Sequence, residues 1–232
     1  MHEDLERLAA IDALDRSSHA SRRRRDAARS ALAEAESALA AAVTTHEQAT
    51  AALEGTKQSE RVLQRRLDEG RRHQGNALRL LETGQGDPAG AQRQLEKSTA
   101  LIDELETEML EVMEVEDAQQ QACDAAKQAI TDATSVRDER ADALPGIEST
   151  SADELARDAA ARSPLLDELP SDLRARYESF RAKGRWAVAR LERGACNACY
   201  KVVQQQHITD IRRGLLKPCM GCHRWLVVDE DG

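Results

Sequence analysis

Aromatic residues are scarce in this sequence, at 2% of 232 residues, and all five of them lie after residue 176. The part of the chain before that point cannot build an ordinary core of large rings and must bury narrow seams of Leu, Ala, Ile and Val. Charged residues make up 32% of the chain, and Ala, Glu, Arg and Leu dominate, which is typical of long helices and coiled coils. The change in composition near residue 176 indicates a domain boundary.

Long apolar runs are also missing. No stretch approaches the roughly 18 apolar residues that a membrane-spanning helix needs. The first residues, "MHEDLERLAAID", are acidic and amphipathic and lack the apolar segment of a signal peptide. We therefore expect a cytoplasmic protein without a membrane partner. In a reducing compartment, paired cysteines serve as metal ligands or redox groups more often than as structural disulfides.

Heptad spacing predicts two long helices. One register of apolar a and d positions runs without a skip over residues 11–81, and a second runs over residues 95–133. Between them, residues 83–90 read "TGQGDPAG", in which glycines end one helix while Asp87 caps and Pro88 opens the next. Because a connection this short favours antiparallel neighbours, we predict a coiled-coil hairpin whose tip lies near residues 83–90.

The domain limits follow from the same pattern. We predict a hairpin over residues 1–170 and a small cysteine-rich domain over residues 171–232. A helix break is expected near residues 145–146, where Pro and Gly are adjacent, with the helix resuming at a capping box formed by Ser151 and Glu154. A return helix as long as the first places the cysteine-rich module beside the N-terminus. Three glycines of the first helix are candidate bends: Gly55, Gly70 and Gly75.

The cysteines carry the most specific motif. Each C-x-x-C turn can direct two thiolates at one ion, and two such turns complete the tetrahedral set that suits Zn²⁺. We therefore predict one structural zinc ion, closed to water, in a C-x2-C-x19-C-x2-C site made of Cys196, Cys199, Cys219 and Cys222. A catalytic zinc with His207 or His223 as a ligand, a dithiol redox site, and c-type haem attachment at "CMGCH" are the alternatives.

The charge is unevenly distributed. The chain carries a net charge of −9, yet residues 172–224 contain twelve Lys and Arg against four Asp and Glu. A basic surface with exposed rings can bind single-stranded nucleic acid through phosphate contacts and base stacking. The alternative is that the rings fill a small core and the cations are only solvated. The candidate binding residues are Tyr200, Lys201, Arg212, Arg213, Lys217, Arg224 and Trp225.

The segment "ACNACYKVVQQQHITDIRRGLLKPCMGCHRWL" resembles the C4-type zinc-ribbon domain of bacterial coiled-coil-hairpin zinc-ribbon proteins. Both cysteine pairs match that pattern, as do residues 211–214 ("IRRG"), Arg224 and Leu226. The upstream "DLRARYESFR" and the Leu- and Glu-rich "LIDELETEMLEVMEVED" are also similar. The resemblance implies a mostly α fold, with a long antiparallel coiled-coil hairpin followed by a small C-terminal four-cysteine zinc ribbon. It further implies roles in flagellar gene expression and type III secretion, through the enhancer-dependent sigma factor and messenger RNA.

Motifs for catalysis are missing from the sequence, which has neither a phosphate-binding Gly-rich loop nor a nucleophile elbow. We therefore expect a non-enzymatic regulatory adaptor or chaperone-like protein that engages protein, RNA or both. The alternative is a purely structural scaffold whose ribbon docks a protein and does not bind nucleic acid. The stretch "MLEVMEV" (residues 109–115) has more apolar residues than one seam requires, and this surplus is a candidate surface for a partner helix or for homo-oligomerisation.

Overall fold

The structure is a computed structural model that describes residues 2–84 and 86–228. Helix α1 spans Glu3–Thr83 and helix α2 spans Pro88–Asp167, and the two pack as a hairpin. This confirms the predicted mostly α fold class. Contacts divide the chain into two compact units, one made of Met1–Ser30 with Asp142–Gly232 and the other of Ala31–Ala141. We refer to them as the ribbon unit and the hairpin unit.

The hairpin unit is held by the residues that the heptads place at a and d. Leu63 and Leu67 of α1 pack against Ile102 and Leu105 of α2, and all four are buried. Gly70 lies so close to Ile102 that an added Cβ would be 3.2 Å from the Ile102 Cγ1 atom. Gly70 therefore serves close helix packing, and α1 continues through the predicted bends.

The connection between the helices follows the predicted capping chemistry. The Asp87 Oδ1 atom accepts a hydrogen bond of 3.0 Å from the Ala89 backbone N–H, and Pro88 is the first residue of α2. Gly84 has a φ of 64°, in the left-handed region where a residue after a helix C-terminus often lies. Of the predicted tip, residue 85 lies outside the described residues.

The predicted break near residues 145–146 is wrong, because α2 continues through Pro145. An internal proline lacks one backbone donor and costs a helix about 3 kcal/mol. The following turns are held to α1 by contacts that offset this cost. Ser151, which is 3% exposed, donates to the Ser21 carbonyl, and Glu154 accepts from the Ser21 hydroxyl. These two residues therefore act as interhelical contacts and not as a helix-capping box.

The ribbon unit adds short elements after the hairpin. Helix α3 spans Ser171–Ala182, strand β1 spans Val188–Glu192, strand β2 spans Ala195–Cys196, helix α4 spans Gln205–Arg212, and strand β3 spans Trp225–Val227. The sheet order is β2-β1-β3, with β1 antiparallel to β2 and parallel to β3. The stretch "WLVV" (residues 225–228) contributes β3, whereas "YKVV" (residues 200–203) contributes only an isolated bridge between Ala195 and Val202.

The first turns of α1 pack against the residues of the ribbon. Leu5, Leu8 and Ile11 are fully buried in one cluster with Tyr177 and Trp225. The cysteine-rich module therefore lies beside the N-terminal turns, as the helix lengths predict. Among the described residues, no helix is both long and apolar enough for a bilayer crossing.

One buried and one partly buried carboxylate of α1 add polar contacts at this junction. Asp12, which is 3% exposed, accepts from the backbone N–H groups of Ala187 (2.9 Å) and Val188 (3.4 Å) at the start of β1. One turn on, Asp15 accepts from the Tyr177 hydroxyl at 2.7 Å and pairs with Arg162. Directional hydrogen bonds of this kind fix the orientation of the ribbon on α1 in a way that apolar contacts alone do not.

Candidate metal centre

The two C-x-x-C segments fold into matching turns, which we call knuckle 1 (residues 196–201) and knuckle 2 (residues 219–224). In each, the backbone N–H four residues after the first cysteine donates to that cysteine's carbonyl. The distances are 2.7 Å from Tyr200 to Cys196 and 2.9 Å from His223 to Cys219. The repeated hydrogen bond brings the two thiols of each pair to the same side of the turn.

A second bond closes each knuckle. The Cys196 N–H donates to the Lys201 carbonyl at 3.0 Å, and the Cys219 N–H donates to the Arg224 carbonyl at 2.7 Å. The reversal of the chain requires a left-handed residue just after the second cysteine, and Tyr200 (φ 59°) takes this conformation. His223, at the corresponding position of knuckle 2, has a φ of 61°. Both knuckles therefore accept a conformation that usually favours glycine.

The four sulfur atoms converge on one point. The Cys196 and Cys222 Sγ atoms are 3.7 Å apart, and so are the Cys199 and Cys219 Sγ atoms. All four sulfurs lie within 4.8 Å of one another, and all four thiols are free. A disulfide needs about 2.05 Å between its sulfurs, so these pairs are not disulfides. This arrangement can hold a metal ion.

The surroundings of the thiols differ. Burial raises the pKa of the Cys196 thiol to about 12. Burial also acts to raise the pKa of Cys222, but hydrogen bonds from the backbone and side chain of Arg224 lower it to about 7. Hydrogen bonds to a thiolate favour the charged form, which is the form that binds metals. Knuckle 2 thus supplies a thiol that ionises more readily than its buried neighbour.

Packing around the sulfurs leaves no room for a larger residue at Gly221. A Cβ atom there would lie 2.8 Å from the Lys201 Cδ atom and 3.2 Å from the Cys199 Sγ atom. The second distance matters most, because a shift of that sulfur would disturb the set of four. Gly221 therefore lets knuckle 2 approach knuckle 1 closely.

The structure separates the predicted histidine alternatives from the cysteines. Among the described residues, the group that could hold a metal contains the four cysteines and neither histidine. His207 Nε2 lies 2.9 Å from the Pro218 carbonyl oxygen. Because all four sulfurs meet at one point, "CMGCH" is not a separate attachment segment, and neither cysteine pair stands apart as a dithiol.

The predicted binding residues fall into three groups. Tyr200 is 82% exposed. Lys201, which follows it, is also exposed, as are Arg212 and Arg213 at the end of α4. Trp225 is only 1% exposed and packs in the core, so the expectation of an exposed ring at this position is wrong. The reason is that β3 pairs with β1 and turns this ring toward α1 and α3.

The remaining two cations of the predicted set are engaged by neighbours. The Lys217 Nζ atom pairs with Asp210 at 3.5 Å. The Arg224 Nε atom donates to the Trp186 carbonyl at 2.8 Å. These contacts tie Lys217 and Arg224 to the module around the cysteines. Both side chains are therefore less available to a ligand than Lys201.

Sequence reasoning missed two arginines that contact knuckle 2. Arg176 of α3 donates to the His223 carbonyl at 2.9 Å, and Arg185 donates to the Cys222 carbonyl at 3.5 Å. The Arg176 guanidinium also lies 4.9 Å from the centre of the Trp225 ring. A helix-borne arginine near an aromatic residue is common on any surface, so the sequence held no specific signal for this role.

Comparison with solved structures finds the same fold in bacterial proteins. The structure of CT398 from Chlamydia trachomatis is 18% identical, with a TM-score of 0.64 and 98% of each chain covered. HP0958 from Helicobacter pylori is 12% identical, with a TM-score of 0.62 and 97% of each chain covered. A Mycobacterium smegmatis protein is 19% identical, with a TM-score of 0.59, covering 99% of this chain and 100% of its own. No protein-family model and no curated protein matches the chain.

Proposed function

We propose that the four cysteines hold one structural Zn²⁺ ion. In a tetrahedral site with Zn–S bonds of about 2.3 Å, neighbouring sulfurs are about 3.8 Å apart. The Cys196–Cys222 and Cys199–Cys219 sulfur pairs, each at 3.7 Å, agree with that spacing. Four thiolate ligands leave no position for a water molecule, so zinc here supplies folding free energy and not catalysis.

The proposed role of the whole chain is that of a non-enzymatic regulatory adaptor whose ribbon binds single-stranded RNA. The observation that carries this proposal is the exposure of Tyr200, which is 82% exposed directly after the second cysteine of knuckle 1. An aromatic side chain this exposed contributes little to folding. A base can stack on it, while the adjacent Lys201 contacts a phosphate.

Two further exposed cations lie at the C-terminal end of α4. Arg212 ends the helix and Arg213 follows it, and both side chains are exposed. Guanidinium groups bind phosphate oxygens with two parallel hydrogen bonds, which suits a backbone that passes from one nucleotide to the next. The proposed interface therefore consists of Tyr200, Lys201, Arg212 and Arg213.

A protein partner is the second part of this proposal. The resemblance to coiled-coil-hairpin zinc-ribbon proteins supports a transcription or secretion component, such as the enhancer-dependent sigma factor. The alternative is a scaffold without RNA binding. One observation favours it: Leu110 and Met113, in the predicted surplus stripe, are 63% and 49% exposed. A helical surface of this kind suits a partner helix or a second copy of the chain.

Reversing two charges at the RNA surface distinguishes these functions. We expect the double substitution Arg212→Glu and Arg213→Glu to weaken binding of a labelled oligouridine of about 20 nucleotides at least about tenfold at low salt. The slope of log affinity against log salt should fall by about 1.4, because each phosphate contact to a single strand contributes about 0.7. Fluorescence anisotropy over a salt series measures both quantities.

The matched control is Arg22→Glu with Arg23→Glu, which changes the net charge equally at exposed positions of α1. It should leave affinity and slope close to those of the original chain. If both double variants lower RNA affinity equally, the effect is one of overall charge. If neither does, the RNA proposal is wrong and the scaffold alternative gains support.

A further inference from the structure

A cleft of about 670 Å³ lies in the ribbon unit between α1 and the sheet. Its α1 wall includes Ala13 and Arg16, and its sheet wall includes Val188, Arg190 and Val227. Its volume lies within the range of about 300–1,000 Å³ that is usual for ligand sites. The lining also includes Asn197 and Ala198 of knuckle 1 and Arg224 of knuckle 2, so the cleft adjoins the cysteine site, but the described lining contains neither the four cysteines nor Tyr200.

The charged groups that line the cleft do not balance. Two carboxylates line it, and both accept hydrogen bonds. Asp12 accepts from two backbone N–H groups and from Arg16, and Glu192 accepts from the Asn197 side chain at 3.2 Å. Three arginines line the same space: Arg16, Arg190 and Arg224. The cleft therefore offers an excess of positive charge to a ligand.

Two of these guanidinium groups are held in fixed orientations. Arg16 Nε donates to Asp12 at 2.7 Å, and Arg16 Nη2 donates to the Val188 carbonyl at 3.1 Å. Arg224 Nε donates to the Trp186 carbonyl at 2.8 Å. Each guanidinium carries five N–H groups, so these contacts orient the group without exhausting its donors. The side chains of Arg16 and Arg224 are therefore ordered before a ligand carboxylate binds, and this lowers the entropic cost of binding.

The apolar parts of the cleft decide between ligand classes. The Trp186 ring is already in contact with the guanidinium groups of Arg16, at 4.5 Å, and Arg181, at 4.1 Å, and with the edge of His19. A nucleobase that stacked on this ring would have to displace those contacts. The other apolar walls are aliphatic, from alanine and valine side chains. They suit aliphatic side chains and offer no aromatic platform for a base.

We infer that this cleft binds a short acidic peptide segment of a protein partner, with a carboxylate on the arginines and a neighbouring aliphatic side chain against Ala13 and Val188. The inference rests on the proposed role as a binding protein and names the chemistry of its protein ligand. It does not depend on RNA binding by the ribbon.

The test begins with selection of phage-displayed random heptapeptides on the zinc-loaded full chain. The strongest binder is then synthesised and titrated by calorimetry. We expect selected peptides to be enriched in Asp and Glu next to Leu, Ile or Val. Two variants should each weaken binding about tenfold or more: Arg190→Glu, which reverses a cleft charge, and Ala13→Leu, which fills the cleft without changing charge.

Matched controls exist for both changes. Ala20→Leu is the same substitution at an exposed position of α1 outside the cleft, and Arg157→Glu reverses an exposed charge on α2. Both should alter affinity by no more than about twofold, as is usual for surface changes away from a site. Circular dichroism of each variant establishes that it is folded.

The inference is overturned if the selected peptides show no acidic enrichment, or if the peptide binds the Ala13→Leu variant as well as the original chain. It is also overturned if Ala13→Leu abolishes oligouridine binding, because the cleft would then be an RNA site. If only the double variant at Arg212 and Arg213 loses RNA binding, the proposal of a peptide-binding cleft stands. The two proposals can therefore fail separately.

Discussion

Replacing Cys196 with serine is expected to release zinc and unfold the ribbon around it. The cluster that contains the sulfurs has eight buried members, of which three are cysteines, so few apolar side chains remain to stabilise it without metal. Structural zinc contributes an apparent binding free energy of about 10–16 kcal/mol in small zinc-finger peptides, more than such a module can replace. Metal content by mass spectrometry should fall. Tryptophan emission should shift to longer wavelength as Trp225, now 1% exposed, meets water.

Cys123→Ser is the matched control for this experiment. Cys123 lies on α2 in the hairpin unit, where its Sγ atom is 3.8 Å from His46 Nε2 and 3.5 Å from the Thr50 hydroxyl. The control should keep one zinc ion per chain and the buried tryptophan emission. A Cys196→Ser protein that retained stoichiometric zinc and native emission would contradict the proposed four-thiolate site.

Asp12→Ala is expected to lower the free energy of unfolding of the ribbon unit by about 3 kcal/mol. The substitution leaves the backbone N–H groups of Ala187 and Val188 without this acceptor and removes the carboxylate that pairs with Arg16. Denaturation followed by tryptophan fluorescence measures the loss. Hydrogen exchange gives a local readout, since the Ala187 amide should exchange faster than in the original chain.

The corresponding change at Asp26 provides the comparison. Its side chain is 61% exposed and pairs with the adjacent Arg25. Asp26→Ala should therefore change stability by no more than about 0.5 kcal/mol. If Asp12→Ala were equally mild, the buried carboxylate would not be what fixes β1 on α1.

The hairpin could be predicted from sequence because its packing repeats locally. Leu63, Leu67, Ile102 and Leu105 lie at heptad positions, and each contributes to the buried seam. The turn could also be predicted, because the side chain of Asp87 and the ring of Pro88 act within a few residues of their own positions. Such short-range chemistry needs no knowledge of the rest of the fold.

The helix through Pro145 shows where local rules fail. Proline opposes a helix when it stands in the helix interior, and the sequence alone gave no measure of the contacts on the following turns. Those contacts come from Ser21, 130 residues away from Ser151 in the chain. A local penalty of about 3 kcal/mol was outweighed by packing that the heptad pattern does not describe.

The four-cysteine cluster was predictable for the same reason as the hairpin, because the spacing within each C-x-x-C turn fixes which thiols can converge. Its surroundings were not. Asp12 is separated from Ala187 by 175 residues. Nothing in the sequence pattern of α1 distinguishes this residue from the exposed acidic residues of the same helix. The burial of Trp225 likewise depends on β1, a strand that the sequence pattern did not reveal.

X-ray absorption at the zinc K-edge tests the central claim most directly. The purified full chain should contain one zinc ion, whose nearest shell is four sulfur atoms at about 2.3 Å. A shell that includes nitrogen at about 2.0–2.1 Å would show that a histidine replaces one of the thiolates, and would contradict the proposed site. So would a folded chain that contains no bound metal.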